Sequence, residues 1–343
     1  ELRPICDLPP KAYELADFDA YERACGRRWA MYTSSLACPY NCGYCTNAAA
    51  YGRKWNALDG EQASREMCDL VSRYRLQLLW VVDDNFLVDR NRALEIAEGI
   101  CERGVKFEWS IQASTNLVTR LSVDEWKLLR RSGLTQVAQG ADTGSPVIMR
   151  AMNKTFQNLE MIYDAADRLT QAGVRPSFNM IFAYPGETRA DRRQSVDLIM
   201  KVCREYPGAE FWTNIFTPYP GAPVMDRAFE LGIQVPTSLE QWADFFPRYT
   251  VLPWLNGAEH RRLQVMRDYL RLAFNRIPIR REQKRPLSRR VHEWIAGPAR
   301  WRLDHDFYAF PAELWMKDAV NQWFPPVKPK VDAKQLEAKV VTC

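Results

Sequence analysis

The sequence predicts an α/β protein, a partial TIM-like (β/α)6 barrel with an N-terminal linker and a mostly helical C-terminal extension. Short apolar runs alternate six times with longer amphipathic segments between residues 29 and 235, a pattern typical of parallel sheets. Right-handed crossovers roll such a sheet into a barrel or a doubly wound layer. Since a closed barrel needs eight units, we expect an open one, with its ligand at the carboxyl ends of the strands.

Each element follows from a local pattern. Residues 1–28 contain Pro4, Pro9 and Pro10 and no sustained helical or strand period, so we expect an ordered linker or entry arm. The predicted strands are the apolar runs at residues 29–33, 77–82, 108–113, 135–138, 177–183 and 210–216. The predicted helices are the amphipathic segments at residues 59–74, 90–103, 122–131, 156–172, 189–206 and 223–231.

The C-terminal part is rich in Trp, Arg and Pro and contains one clear helical pattern, at residues 259–276. We expect structural packing, for example over the open side of the barrel, because Trp side chains mostly contribute buried area. Docking on a membrane surface through Trp and Arg is the alternative. The end of the chain, residues 327–343, is expected to be loosely ordered. The predicted division is a linker (1–28), a barrel (29–235) and an extension (236–343).

Composition narrows the class of protein. Of 343 residues, 47% are apolar and 26% are charged, which is ordinary for a globular chain, and a net charge of +5 is too small to predict nucleic-acid binding. Nine scattered cysteines favour a reducing, intracellular setting over a disulfide framework. Without a bilayer-spanning apolar run or a signal peptide, we expect a cytoplasmic protein with at most peripheral membrane contact. From its first residue, Glu1, we expect a processed chain or a piece of a longer one.

Three cysteines stand close together directly after the first predicted strand: Cys38, Cys42 and Cys45. Thiolates bind iron and zinc, and a complete iron–sulfur or zinc site normally takes four protein ligands. The other six cysteines stand singly. A zinc knuckle completed by a distant cysteine, or three unrelated thiols, are the alternatives. A set of only three protein ligands is typical of a catalytic site, because it leaves one metal position open for a substrate or cofactor.

The spacing Cys-x3-Cys-x2-Cys, with aromatic Tyr44 before the last cysteine, resembles the radical S-adenosylmethionine (radical SAM) superfamily. The resemblance implies a [4Fe-4S] cluster held by Cys38, Cys42 and Cys45. Its fourth iron would chelate the amino and carboxylate groups of SAM, and electron transfer would cleave SAM to methionine and a 5′-deoxyadenosyl radical. Tyr44 would lie against the adenine.

Acidic residues follow the second predicted strand, where the family commonly places a Gly-Gly-Glu motif that holds the ammonium group of SAM. Here Asp83 and Asp84 stand at that position, and the resemblance implies that one of them replaces the glutamate. A simple helix cap is the alternative, since Asp and Asn favour helix N-termini.

Two later segments resemble one large branch of the family. The run after the fourth strand, Gln139 to Ser145, is similar to a Gly-Val-Glu-Ser-Gly-Ser element, and its Asp142 could bond ribose hydroxyls or a carboxylate. A plain turn is the alternative. The fifth strand ends in a run from Asn179 through Ala183 to Thr188 that is similar to Gly-Leu-Pro-Gly-Glu-Thr. The resemblance implies that this run, like Gln139 and Ser145, lies near SAM.

The Asp-Asp-x-Phe element looks most like the cobalamin-binding branch of the superfamily, which contains methyltransferases, cyclases and ring-contracting enzymes. Residues 5–10 resemble the linker that joins the cobalamin domain to the barrel. No Asp-x-His-x-x-Gly cobalamin-ligand motif occurs, and the only histidines are His260, His292 and His305, in the extension. Either cobalamin is supplied by a domain outside this chain or the chain works without it.

These observations favour a radical SAM enzyme that abstracts hydrogen from an organic substrate held in the barrel mouth, either as part of a cobalamin-dependent methyltransferase or in a rearrangement or cyclisation. The aromatic, basic extension permits a lipid or a tetrapyrrole as readily as a peptide, and a reductant such as flavodoxin or ferredoxin is expected. The motifs identify no catalytic residue beyond the cofactor ligands. The rival hypotheses are a non-catalytic iron–sulfur electron-transfer or scaffold protein and a zinc-binding module.

Overall fold

The computed structural model describes residues 3–9, 11–244, 252–274 and 286–316. The strands are β1 (Trp29–Tyr32), β2 (Ser35–Leu36), β3 (Asn56–Ala57), β4 (Leu78–Val81), β5 (Glu108–Ala113), β6 (Leu134–Asp142), β7 (Arg175–Phe182) and β8 (Glu210–Ile215). The helices are α1 (Phe18–Cys25), α2 (Asn47–Tyr51), α3 (Gly60–Tyr74), α4 (Arg90–Arg103), α5 (Thr115–Val118), α6 (Val123–Arg131), α7 (Pro146–Ala151), α8 (Leu159–Gln171), α9 (Arg189–Glu205), α10 (Met225–Glu230), α11 (Leu239–Asp244), α12 (Gly257–Phe274) and α13 (Pro286–Asp304). Short 3-10 turns lie at Ile5–Asp7, Tyr13–Leu15 and Phe86–Val88.

Six strands form one sheet in the order β1-β4-β5-β6-β7-β8, and every pair in it is parallel. Consecutive strands of this sheet are neighbours, each joined to the next through helices, as right-handed crossovers require. The predicted fold class, a partial (β/α)6 barrel, is confirmed. The small antiparallel pair of β2 and β3 was not predicted, because two-residue strands carry no readable period.

The two faces of the sheet differ in burial. Alternate residues such as Leu79, Trp109, Val137 and Phe178 are fully buried and belong to two apolar clusters that include the surrounding helices. The intervening residues point to the opposite, inner face, because successive side chains of a strand alternate. The cysteine loop starts where β1 ends, so it stands at the carboxyl end of the sheet.

Side-chain caps explain why the helices begin where they do. Asp59, Asp89, Ser122, Asn158 and Thr188 precede α3, α4, α6, α8 and α9, and each accepts a hydrogen bond from the backbone N–H three residues on. The predicted start of α8 at residue 156 is therefore wrong, because the cap at Asn158 sets it at Leu159. The structure also places the start of α3, predicted at residue 59, one residue later, at Gly60.

Two larger departures from the prediction concern β6 and the N-terminal segment. Strand β6 runs from Leu134 to Asp142 rather than over 135–138, since its pairing with β7 continues through a bulge at residues 140–142. Residues 1–28 contain helix α1, which was not predicted. It is only eight residues long, with Asp17 as its N-cap and Gly26 in the left-handed conformation at its C-terminal end.

The C-terminal extension packs against the last strand. Helix α12 contacts β8, and α13 contacts α12 and α9. Apolar residues of α12, such as Leu263 and Leu270, join the same cluster as Phe211 and Ile215 of β8. The described extension therefore packs on the helix-covered side of β8, and its predicted packing over the open side of the barrel stays a prediction. Residues 327–343 lie outside the described part of the chain, and the predicted division at residues 235 and 236 stays a prediction.

None of the described helices is both long and apolar enough to span a bilayer. The described part of the extension nevertheless exposes aromatic side chains, among them Trp294 and Phe310.

Candidate cofactor site

The three cysteines of the predicted cluster motif are free thiols, and all three are half-buried. Burial raises the pKa of Cys42 to about 12, and the charge of Lys154 opposes that rise. The same desolvation raises the pKa values of Cys38 and Cys45. Cys38 and Cys45 both act electrostatically on Cys42, and Cys38 acts on Cys45, so the three thiols lie in one neighbourhood.

Two asparagines and the backbone hold these sulfur atoms in place. The Asn85 side-chain amide donates to Cys38 Sγ at 3.6 Å, and the backbone N–H of Asn47 donates to Cys45 Sγ at 3.4 Å. The Asn47 side-chain oxygen in turn accepts from the backbone N–H of Cys38 at 2.9 Å. Such N–H donors stabilise the negative charge of metal-bound sulfur.

The loop between the second and third cysteines is fixed from two sides. The Gly43 N–H donates to the carbonyl of Met152 at 2.8 Å, and the Gly43 carbonyl accepts from the N–H of Val224 at 2.8 Å. A Cβ at Gly43 would lie 2.6 Å from the Tyr184 hydroxyl. A larger residue at position 43 would therefore displace the Tyr184 hydroxyl, and the loop is held by chain segments that follow β6, β7 and β8.

This donor set fits an iron–sulfur cluster. Within the described ranges, no three His, Cys, Asp or Glu side chains are grouped so that they could hold one metal ion. A cluster makes a different demand, because each thiolate binds its own iron atom. Three neighbouring thiols with N–H donors to sulfur can each bind one iron atom of such a cluster, and they leave its fourth iron without a protein ligand.

The two acidic residues after β4 lie in different environments. Asp83 is fully buried; its carboxylate accepts from the Ser34 N–H and hydroxyl, both at 2.7 Å, and from the Ser35 hydroxyl at 2.6 Å. Asp84 is exposed, accepts from the Ala37 N–H at 3.0 Å, and acts electrostatically on two of the three thiols. Asp83 thus fixes the chain after β1, while Asp84 is open to a cationic group of a ligand.

A buried ion pair lies beside the cysteine loop. The carboxylate of Asp142 pairs with Lys154, and both side chains are 3% exposed. The Tyr44 hydroxyl donates to the same carboxylate at 2.6 Å, and Lys154 also donates to the Gly140 carbonyl at 2.6 Å. Burial and the charge of Asp142 raise the pKa of Tyr44. Asp142 therefore connects the cysteine loop to the end of β6, and its predicted contact with a cofactor stays a prediction.

Ser145 has a structural role in α7. Its hydroxyl accepts from the Ile148 N–H at 3.4 Å, as an N-cap does, and donates to Asp191 of α9 at 2.5 Å. The preceding Gly144 approaches α9 so closely that a Cβ would clash with the Gln194 carbonyl. Ser145 is thus the N-cap of α7, and its predicted contact with a cofactor stays a prediction.

Gln139 and Asn179 face opposite ways. Gln139 is buried and lies on the same face of β6 as the core residues Val137 and Ala141. Neither atom of its side-chain amide has a hydrogen-bond partner in the structure. Asn179 is half-buried and pairs in register with Gly140 and Trp212, so its side chain reaches the inner face. Of these two predicted cofactor contacts, only Asn179 is on the face below the cysteine loop.

The end of β7 is held by its own loop and by the extension. Ala183 has a positive φ of 63°. Its N–H donates to Glu187 at 2.5 Å, and its carbonyl accepts from the Trp254 indole at 3.0 Å. Both backbone groups of Ala183 are therefore already bonded within the protein.

The sequence motifs did not identify several of these residues. Asn85, Lys154 and Trp254 lie outside the matched runs or stand in them without an assigned role. The sequence offers one signal for Lys154, which is that a buried Asp needs a cation, but its partner could not be chosen among 47 basic residues.

Glu187 should make stability depend on pH. Burial raises its pKa from 4.5 to about 8, so the folded state holds a proton that the unfolded state releases above about pH 5. Unfolding free energy should therefore fall as pH rises from about 5 to about 8, by up to about 1.4 kcal/mol per pH unit. In Glu187→Gln that slope should be shallower, as measured by urea denaturation across this range. An unchanged slope would show that Glu187 titrates normally.

Residues 32–199 match the family model described as the radical SAM superfamily. Among curated relatives, an uncharacterised methyltransferase of Pyrococcus horikoshii is 25% identical over 227 residues, covering 66% of this chain and 48% of the relative. A bacteriochlorophyllide d C-12(1)-methyltransferase of Chlorobaculum tepidum is 25% identical over 235 residues, covering 66% of this chain and 48% of the relative. A hopanoid C-2 methylase of Rhodopseudomonas palustris is 23% identical over 224 residues, covering 64% of this chain and 40% of the relative. The chain thus spans about half the length of the first two relatives and less of the third.

Solved structures share the fold. The radical SAM methyltransferase TsrM from Kitasatospora setae, with cobalamin and a [4Fe-4S] cluster bound, superposes with a TM-score of 0.54 at 18% identity, covering 69% of this chain and 45% of TsrM. The cobalamin-dependent radical SAM enzyme OxsB gives a TM-score of 0.59 at 13% identity, covering 85% of this chain and 49% of OxsB. The chain therefore carries a domain of the radical SAM superfamily, as its cysteine motif predicted.

Proposed function

We propose that this chain is the radical SAM part of a methyltransferase that acts on an organic substrate. The observation that carries the proposal is the loop of three neighbouring thiols, with N–H donors to sulfur, at the carboxyl end of a partial barrel. The names of the relatives, which are methyltransferases and methylases, support methyl transfer over rearrangement or cyclisation.

The residues have distinct tasks in this proposal. Cys38, Cys42 and Cys45 hold a [4Fe-4S] cluster, and Asp84 faces the ammonium group of SAM. When bound, the cluster supplies the electron with which SAM is cleaved to methionine and a 5′-deoxyadenosyl radical. Tyr44 keeps the loop against β6 through Asp142. Asn179 reaches the inner face, where the substrate is held away from water.

Further components come from outside the described residues. Cobalamin, which is bound in the structures of TsrM and OxsB, would be supplied by a domain outside residues 1–343. An external reductant such as flavodoxin or ferredoxin would supply the electron, and the reaction would take place in the cytoplasm. A lipid-like or tetrapyrrole-like substrate fits the names of the relatives.

Cleavage of SAM tests the proposal. The chain is reconstituted with iron and sulfide without oxygen, and then receives dithionite and SAM. We expect 5′-deoxyadenosine and methionine, quantified by mass spectrometry. If the cluster is spectroscopically present and no 5′-deoxyadenosine forms, the protein is an electron-transfer or scaffold protein instead.

Asn85→Leu should shift the midpoint potential of the cluster to a more negative value. The variant removes the N–H donor to Cys38 Sγ, and the reduced cluster, which carries more negative charge, loses more stabilisation than the oxidised one. A redox titration followed by electron paramagnetic resonance (EPR) measures the shift. Asn91→Leu, an exposed asparagine in α4, is the matched control. Equal potentials in wild type and Asn85→Leu would show that this hydrogen bond does not tune the cluster.

A further inference from the structure

Three large apolar side chains are exposed on the inner face of the sheet. Met31 is 47% exposed, Trp80 41% and Trp212 54%. In each strand the neighbouring side chains face the core, as the burial of Leu79 and Phe211 shows. These three side chains are therefore not surface residues of a helix layer. They point into the space that the partial barrel encloses.

The three side chains form two walls. Met31 and Trp80 are register partners in the adjacent strands β1 and β4, so they lie side by side. Trp212 is in β8, at the other edge of the sheet, and pairs in register with Asn179. In a sheet that curves toward a barrel, residues near opposite edges of the inner face approach one another across the interior.

The surface between the walls carries no charge. The inward-facing residues of the middle strands above the amino end are uncharged: Ser110, Gln112, Ala138, Gly140, Ser177 and Asn179 are small or polar, and Ile181 is apolar. The charged residues of this face in β5, β7 and β8 lie at the amino ends of these strands and are paired, Glu108 with Arg27 and Glu210 with Arg175.

We propose that the inner face binds an uncharged, apolar ring system, and that Trp80 and Trp212 determine this specificity. An aromatic ring offers a flat apolar body for stacking. The uncharged surface between the two walls disfavours a ligand that brings unpaired charges into the site. The face continues upward to the cysteine loop, so its ligand would lie where the substrate of the proposed function must lie. The inference rests on that function for the identity of the ligand as substrate.

Binding of matched ring systems tests the inference. The probes are protoporphyrin IX dimethyl ester and the pentacyclic hydrocarbon diploptene, both without charge, and uroporphyrin, a polyanionic tetrapyrrole. We expect at least one uncharged probe to bind, uroporphyrin not to bind, and the Kd to rise about tenfold or more in Trp80→Ala and in Trp212→Ala. Preference between the two uncharged probes separates a tetrapyrrole from a triterpene substrate. Trp294→Ala, at an 81% exposed position of the extension, should leave the Kd unchanged.

A second variant covers the case in which a Trp variant does not fold. Met31→Glu places a carboxylate on the half-exposed wall and should abolish binding of the uncharged probes at an unchanged Tm. The inference is overturned if the folded inner-face variants bind as wild type does, or if uroporphyrin binds as tightly as the ester. Cleavage of SAM without substrate is measured on the same samples. If the wild-type protein does not cleave SAM, the proposed function alone is refuted. If the variants cleave SAM and bind the probes as wild type does, this inference alone is refuted.

Discussion

Alanine at any one of Cys38, Cys42 and Cys45 should reduce SAM cleavage to the background of cluster-free protein. Two thiolates cannot hold a cluster that needs three, because Cys thiolates are what hold the iron atoms of such a cluster. Iron and acid-labile sulfide should fall together with 5′-deoxyadenosine formation. The measurement is iron content and product yield after anoxic reconstitution.

Two other cysteines supply the control. Cys6 and Cys25 are exposed and lie in the N-terminal segment, outside the cysteine loop. Cys6→Ala and Cys25→Ala should keep full cluster content and full activity. A single variant of the triplet that retains a complete cluster and cleaves SAM at the wild-type rate would refute the assignment of that ligand.

Lys154→Met should destabilise the protein by about 3–5 kcal/mol, because it leaves the buried carboxylate of Asp142 without its cation. The hydroxyl of Tyr44 remains as a donor, but it cannot neutralise a buried charge. Methionine is of similar length, so the loss reflects charge more than volume. Urea denaturation of the apoprotein gives the free energy of unfolding. Asp142→Asn combined with Lys154→Met should recover part of the loss.

An exposed pair is the matched control for this substitution. Lys127 and Asp124 form a surface ion pair at 3.0 Å in α6, and Lys127→Met should cost about 1 kcal/mol or less. If Lys154→Met costs no more than Lys127→Met, the pair of Asp142 and Lys154 does not hold the cysteine loop against β6.

The sequence predicted the fold because hydrophobic periodicity dominates in long elements. The structure shows the predicted bounds for strand β5 (Glu108–Ala113) and for helix α4 (Arg90–Arg103). The prediction was weakest where periodicity is short or interrupted. Helix α1 spans only eight residues, and β6 continues past Gly140 through a bulge that depends on pairing with β7. Such features arise from tertiary contacts that a local pattern does not contain.

The candidate site divides in the same way. The cysteine spacing is local, so sequence alone identified the thiols. The difference between Asp83 and Asp84 is not local, because it depends on two serines 48 and 49 residues away that bury one carboxylate and not the other. The contact of Tyr44 with Asp142 spans 98 residues. Asn85 directly follows the acidic pair in the sequence, but only its distance to Cys38 gives it a role.

The EPR spectrum of the reduced cluster, recorded with and without SAM, shows whether three cysteines hold a cluster whose fourth iron is open to SAM. We expect an iron-containing, zinc-free protein with a reduced [4Fe-4S] signal that changes when SAM is added. A signal that SAM leaves unchanged, or a protein that contains zinc and no iron after anoxic purification, would contradict that expectation.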